Sequence, residues 1–178
     1  MHDPAPVSPI MYGTLARPSV VAERSAGRDG FREAGVAMPD GFEGLRDEDE
    51  VAEALAELRG RHPGLERAVV KLEEGFSGEG NAVFSFSDAP SGPGLAGWVR
   101  QRLPQLAFAA PGQDWEGYRA KLEQMGAVVE AFVEGQEKRS PSAQFRVEPG
   151  GTVETISTHD QVLGGPSGQI FLGCEFPA

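Results

Sequence analysis

The chain has only three lysines, Lys71, Lys121 and Lys138, and the first sits where it could meet a phosphate. Lys71 closes an apolar run, Ala68-Val69-Val70, and is followed closely by Gly75, Ser77, Gly78 and Gly80. An ammonium on a strand can lie against one phosphate while the backbone amides of a glycine loop close over others. Read blandly, it is an edge-strand lysine that discourages strand pairing, beside a flexible hairpin tip. Two familiar phosphate loops do not fit. A Walker loop ends in Gly-Lys-Ser/Thr, whereas Gly80 is followed by Asn81 and Ala82. A dinucleotide fingerprint opens a helix, whereas Val83-Phe84-Ser85-Phe86 reads as strand. A flap between antiparallel strands, as in the glycine loop of kinases, is the remaining device.

A second group of candidates lies downstream. In Val128-Val129-Glu130-Ala131-Phe132-Val133-Glu134-Gly135-Gln136-Glu137 a strand ends in an acid, an apolar link follows, and a second acid comes later. An adenine ring asks for backbone hydrogen bonds at its edge and apolar contacts on its faces, and a ribose diol asks for a carboxylate. Glu130, Val133 and Glu137 could supply these, although scattered acids in so acidic a chain usually face solvent. Ser157, His159 and Asp160 include hydrolase residue types. They are near neighbours on an extended segment, so alternate side chains point to opposite faces, which disfavours a triad.

Composition narrows the classes. Of 178 residues, 16 are Lys or Arg and 27 are Asp or Glu, a formal net charge of -11. Such a chain lacks the clustered cations that release counterions from a nucleic-acid backbone or attract it to anionic lipid. No apolar run reaches the roughly 18 residues of a membrane-spanning helix. Cys174 is the single cysteine, which excludes a disulfide framework and disfavours a cysteine-based zinc site. The expected setting is the cytoplasm, with no nucleic acid and no membrane as partners.

The elements that must position these residues follow from pattern. Three prolines in His2 to Pro9 suppress regular structure, so residues 1–16 read as a disordered leader. Pro18 to Ala34 is a weak helix carrying Arg24, Arg28 and Phe31, closed by Gly35 and Pro39. Asp47 with Glu50 forms a capping-box-like start, and Val51, Ala54, Leu55 and Leu58 make one apolar stripe up to a stop at Gly60. Strands at 67–72 and 81–86 bracket the glycine flap. Helices follow at 92–106 and 114–125, and then a strand at 127–130. A hairpin over 143–157 turns at Pro149-Gly150-Gly151, and Ile170-Phe171-Leu172 reads as a short final strand.

Taken in order, Val69-Val70-Lys71, Gly75 to Asn81 and Val128 to Glu137 resemble the ATP-grasp superfamily. Phe31 to Pro39 is similar to the turn that opens its small lobe. Arg139 to Gln144 and Ser157 to Gln169 resemble the pheganomycin-type peptide ligases, a narrower branch. The resemblance implies an α+β fold: an antiparallel small lobe with flanking helices over 17–130, and the start of a second α+β lobe over 131–178. It implies ATP and magnesium as cofactors, small carboxylate and amine substrates such as amino acids or peptides, and amide formation through an acyl phosphate. By the same resemblance Lys71 touches phosphates, and Gly75, Ser77, Gly78, Gly80 and Asn81 form the flap. Glu130 and Val133 are the adenine hinge, Glu137 holds the ribose, and Gln161 lies near the phosphate end. The family commonly has a second phosphate-binding lysine near the first helix, a charge that Arg28 could replace. Its magnesium-binding acids and asparagine fall on strands later than Ala178, so the expectation is an incomplete domain. The alternatives are a non-catalytic nucleotide-binding or regulatory module and an inactive fragment.

Overall fold

The computed structural model describes residues 24–75, 80–135, 139–165, 168 and 170–178. The expected leader lies outside them. Among the described residues, eight strands and four α-helices make up two antiparallel sheets with helices against the first, the mixed α and β architecture expected.

The first sheet holds β1 (Gly41–Leu45), β2 (Arg67–Leu72), β3 (Asn81–Ser85), β4 (Ala107–Phe108) and β5 (Ala127–Ala131), in the order β1-β5-β2-β3-β4. Because successive side chains alternate, each strand has a core face and an opposite face. Ala68, Val70, Leu72, Ala82, Phe84, Ala127 and Val129 make the core face. Against it pack α2 (Glu48–Arg61), α3 (Leu95–Arg102) and α4 (Trp115–Met125), through Leu55, Leu58, Val99, Tyr118 and Leu122. Each large apolar side chain buried this way contributes about 1.5–3 kcal/mol, so this layer fixes the sheet. The opposite face carries Val69, Lys71, Asn81, Val83, Val128 and Glu130, in register across three strands.

Helix starts follow the sequence closely. Asp47 accepts a hydrogen bond from the Glu50 amide at 2.8 Å, and Glu50 in turn accepts from the Arg46 amide at 2.6 Å. Asp114 caps α4 through the Gly117 amide at 2.9 Å. The expected stop at Gly60 is corrected: α2 continues through it to Arg61 and is capped at His62. The apolar face already buried by Leu55 and Leu58 outweighs the roughly 1 kcal/mol that one helical glycine costs. The helix expected over 92–106 is shorter. It ends at Arg102, and a 3-10 turn at Leu103–Gln105 takes in Pro104. From α1 (Arg24–Glu33) the chain turns at Gly35, whose φ of 68° suits glycine.

Strand β1 had no counterpart in the sequence reading. Gly41 is held against β5 so closely that a Cβ there would lie 2.2 Å from the Val129 carbonyl oxygen, and the β1–β5 register shifts between Phe42 and Leu45. The second sheet, β6 (Pro141–Val147), β7 (Val153–Gly164) and β8 (Ile170–Glu175), is antiparallel in that order. It contains the expected hairpin, with both strands longer than expected.

Candidate functional site

The polar residues of the first sheet gather on the face away from the core. Lys71 on β2 and Glu130 on β5 lie two positions apart diagonally, since Glu130 pairs with Val69 and Val69 precedes Lys71 on the same face. Lys71 Nζ contacts Glu130 Oε2. The other carboxylate oxygen, Oε1, accepts from Arg28 Nη1 at 2.6 Å. Arg28 is fully engaged: its Nε donates to Glu43 Oε1 at 2.5 Å, and its Nη2 to the Pro39 carbonyl at 3.1 Å. Glu130 and Arg28 are both buried. Burial opposes charge on Glu130, but Lys71 and Arg28 more than offset it and hold its carboxyl below the usual carboxylate range. Burial likewise opposes charge on Arg28, yet Glu43 and Glu130 raise its affinity for the proton. Glu130 and Arg28 are thus both held in their charged forms.

Lys71 pairs across the sheet with Asn81, which is buried and whose Oδ1 lacks a hydrogen-bond partner. A buried carbonyl without a donor, on the residue paired with Lys71, is an arrangement that invites rearrangement or a ligand.

The glycine flap has a narrow neck here. Gly75 and Gly80 face each other, and a Cβ on either would come within 3.2 Å of the other's Cα. Two helices grip the neck from opposite sides of the sheet. From α1, Arg24 Nε donates to the Leu72 carbonyl at 2.7 Å and its Nη2 to the Gly75 carbonyl at 3.3 Å. The Ser25 amide and hydroxyl both bond the Glu73 carboxylate. From α4, the Tyr118 hydroxyl lies 3.1 Å from the carbonyls of both Val70 and Gly80. Sequence reasoning gave Arg24 no role at the flap and placed Tyr118 in the core. The available signal was the spacing of Arg24, Arg28 and Arg32, one face of a helix. That face lies on the sheet, with Arg24 at the flap, Arg28 at β5 and Arg32 bonding Glu43 at 2.8 Å.

The segment after β5 is anchored by Arg67, another residue without an assigned role in the sequence. Its carbonyl accepts from the Phe132 amide at 3.1 Å, its guanidinium lies 4.1 Å from the Phe132 ring centroid, and its Nε donates to Glu134 at 2.7 Å. Val133 is therefore held, half-buried, in a fixed stretch of backbone. An open groove of about 550 Å³ lies at this end of the β2–β3 hairpin, lined by Arg59, Gly64, Arg67 and Phe86 among others.

Of the expected site residues, Lys71, Asn81, Glu130 and Arg28 come together on one face, with Gly75 and Gly80 at its edge. Ser77, Gly78 and Glu137 lie outside the described residues. Gln161 belongs to the second sheet, where its Oε1 accepts from the Ser140 hydroxyl at 3.0 Å. His159 is buried beside Phe176, ring centroids 5.0 Å apart. Among the described residues, no group of three or more His, Cys, Asp or Glu is placed to hold a metal ion, and no helix is long and apolar enough to cross a membrane.

No family profile matches the chain. It is 36% identical over 159 residues to an L-propargylglycine–L-glutamate ligase of Streptantibioticus cattleyicolor, a match over 87% of this chain and 30% of that protein. It is 27% identical over 186 residues to IQ motif-containing protein H of Danio rerio, over 86% of this chain and 17% of that one. The chain thus spans less than a third of either relative. Two solved structures share its fold. An ADP complex of the N5-carboxyaminoimidazole ribonucleotide synthetase PurK has a TM-score of 0.55 at 15% identity, covering 90% of this chain and 33% of that one. The Staphylococcus aureus N5-carboxyaminoimidazole synthetase complexed with ADP has a TM-score of 0.56 at 14% identity, covering 90% and 34%.

Proposed function

We infer that this chain, which has the fold of the ATP-grasp superfamily and resembles its carboxylate–amine ligases, is the nucleotide-gripping part of an ATP-dependent ligase that joins a small carboxylate to an amine. Residues 17–130 act as the small lobe and 131–178 as the start of the large one, in a cytoplasmic protein. The observation that carries the reading is the polar sheet face. Lys71, Asn81 with its unpartnered Oδ1 and the neck of a glycine flap share one edge, and the Val133 segment is fixed at the far end of β5. The fold's neighbours include two proteins solved with ADP.

In the ligation proposed, a substrate carboxylate oxygen attacks the γ-phosphorus of ATP, forming an acyl phosphate and releasing ADP. The amine nitrogen then attacks the acyl carbon, inorganic phosphate leaves, and the amide forms as the nitrogen loses a proton. Such transfer is achieved mainly by positioning and by neutralising charge on the phosphoryl oxygens. Lys71 supplies a cation, and amides of the glycine flap supply donors; Arg24 and Tyr118 hold the neck at Gly75 and Gly80. Glu130 and Val133 form the adenine hinge, Glu137 accepts from the ribose hydroxyls, and Gln161 approaches from the second sheet. When bound, magnesium would add further positive charge against the phosphates.

Calorimetric titration with ATP tests the site. Wild-type protein is expected to bind, Lys71→Ala to bind no longer, and Glu137→Ala to bind about 1–3 kcal/mol more weakly through lost charge-assisted hydrogen bonds. Unchanged affinity in both variants overturns the assignment, as does a wild-type melting temperature that millimolar ATP leaves unmoved.

A further inference from the structure

Resting on the nucleotide-binding reading above, we propose that Arg28 is a positioning residue that frees Lys71 for a polyphosphate ligand by keeping Glu130 neutralised when Lys71 leaves it. Glu130 is shared, one oxygen to each cation: Oε2 to Lys71 and Oε1 to Arg28. Its side chain is about nine-tenths buried. A buried carboxylate stripped of its sole cation is strongly unfavourable, so one partnered by Lys71 alone would hold that ammonium in place. With Arg28 on the other oxygen, Lys71 can turn away and the carboxylate keeps a charge-assisted hydrogen bond.

The two cations differ in what holds them. Arg28 is fixed by Glu43 and by the Pro39 carbonyl as well as by Glu130, so its planar fork stays put. Lys71 is a flexible point charge. An acceptor lies on the facing residue: Asn81, its cross-strand partner, carries an Oδ1 with no hydrogen bond. Directly opposite side chains on antiparallel strands lie close enough to touch. Lys71 thus has a second position, bonded to Asn81 and facing the edge where Gly75 and Gly80 form the flap neck, while Arg28 remains on Glu130. Arg28 then governs ligand affinity without touching the ligand.

The test is a double-mutant cycle read by calorimetric titration with ATP, using wild type, Arg28→Gln, Glu130→Gln and Arg28→Gln/Glu130→Gln in the full chain. Arg28→Gln is expected to weaken ATP binding about tenfold or more, because Lys71 becomes the only cation on a buried carboxylate. In the Glu130→Gln background the same change should alter affinity less than about threefold, because no carboxylate remains to hold Lys71. If Arg28→Gln does not fold, the comparison within the Glu130→Gln background still decides: a further tenfold loss there overturns the proposal. Equal loss in both backgrounds means Arg28 acts by its field or by the fold, and also overturns it. Tight binding by Arg28→Gln refutes the positioning role and leaves the nucleotide reading standing. Wild-type protein that binds no ATP removes both.

Discussion

Replacing Tyr118 by Phe removes one oxygen from the neck of the flap and leaves the core ring in place. The hydroxyl is 3.1 Å from the Val70 and Gly80 carbonyls, and it has one proton to share between them. The Gly80 carbonyl retains a bond from the Leu72 amide at 3.0 Å, so the substitution does not strip it bare. The cost is therefore that of an ordinary intramolecular hydrogen bond, about 0.5–1.5 kcal/mol. For a chain of this size that is a fall in melting temperature of roughly 2–4 °C per kcal/mol. The loss should also be local. Hydrogen exchange at the Leu72 amide, which closes the neck, is expected to accelerate more than at amides inside α2. Alkaline pH supplies an independent check. Burial pushes the Tyr118 phenol well above its ordinary value of 10.0. Its protonated form stabilises the fold fully below the unfolded value, and that advantage fades as pH rises above it. The gap between wild type and Tyr118→Phe should accordingly narrow above about pH 10. Urea unfolding across pH measures it. A variant as stable as wild type at pH 7, or one whose amides all accelerate equally, refutes the view that this hydroxyl holds the flap.

The remaining expectations concern backbone fit and charge. Gly41→Ala should destabilise by at least about 2 kcal/mol in urea unfolding, because its Cβ would stand 2.2 Å from the Val129 carbonyl and drive β1 off β5. Gly80→Ala, whose Cβ would meet Gly75 Cα and Leu72 Cβ at 3.2 Å, should cost about 1–3 kcal/mol as overpacking does and slow any flap closure seen by stopped flow. The Glu130 carboxyl is held below its ordinary value in the fold. Its stabilising effect is therefore present above the unfolded value near 4 and is lost as pH falls through the lower folded value. The stability difference between wild type and Glu130→Gln should be largest near neutrality and shrink toward pH 3, and a difference independent of pH would contradict the ionised pair.

What the sequence revealed depended on how local each determinant is. The caps Asp47 and Asp114 act within three residues, so both helix starts were readable. The β2–β3 hairpin was readable because β-branched or aromatic residues are concentrated on both sides of a glycine-rich turn. Strand β1 was not, since Gly-Phe-Glu-Gly-Leu has no strand propensity of its own. Its two glycines are there because β5 comes so near at Gly41 and because the register slips before Leu45. That information belongs to a partner 89 residues later in the chain, the Gly41–Glu130 pair. The helix expected to end at Gly60 ran on for the converse reason, tertiary burial overriding a local breaker.

The site divides along the same line. Residue types exposed Lys71, the glycines and Glu130 as candidates, because phosphate, sugar and base each demand a recognisable chemistry. What could not be read was how those groups are held before any ligand arrives. Arg24 and Tyr118 meet at the flap neck from helices on opposite faces of the sheet, although 94 residues separate them. Arg28 reaches Glu130 across 102. Each is a long-range contact whose sequence trace is one arginine or one aromatic among several. The arginine stripe 24-28-32 could have shown that α1 turns a cationic face to something acidic, and Glu43 and Glu130 are that surface. The binding chemistry is therefore written in short motifs, whereas its restraint is written in the packing of α1 and α4. Variants of those two helices, which would not be expected to touch a nucleotide, are the ones that separate a flap held ready from a hairpin tip that is merely long.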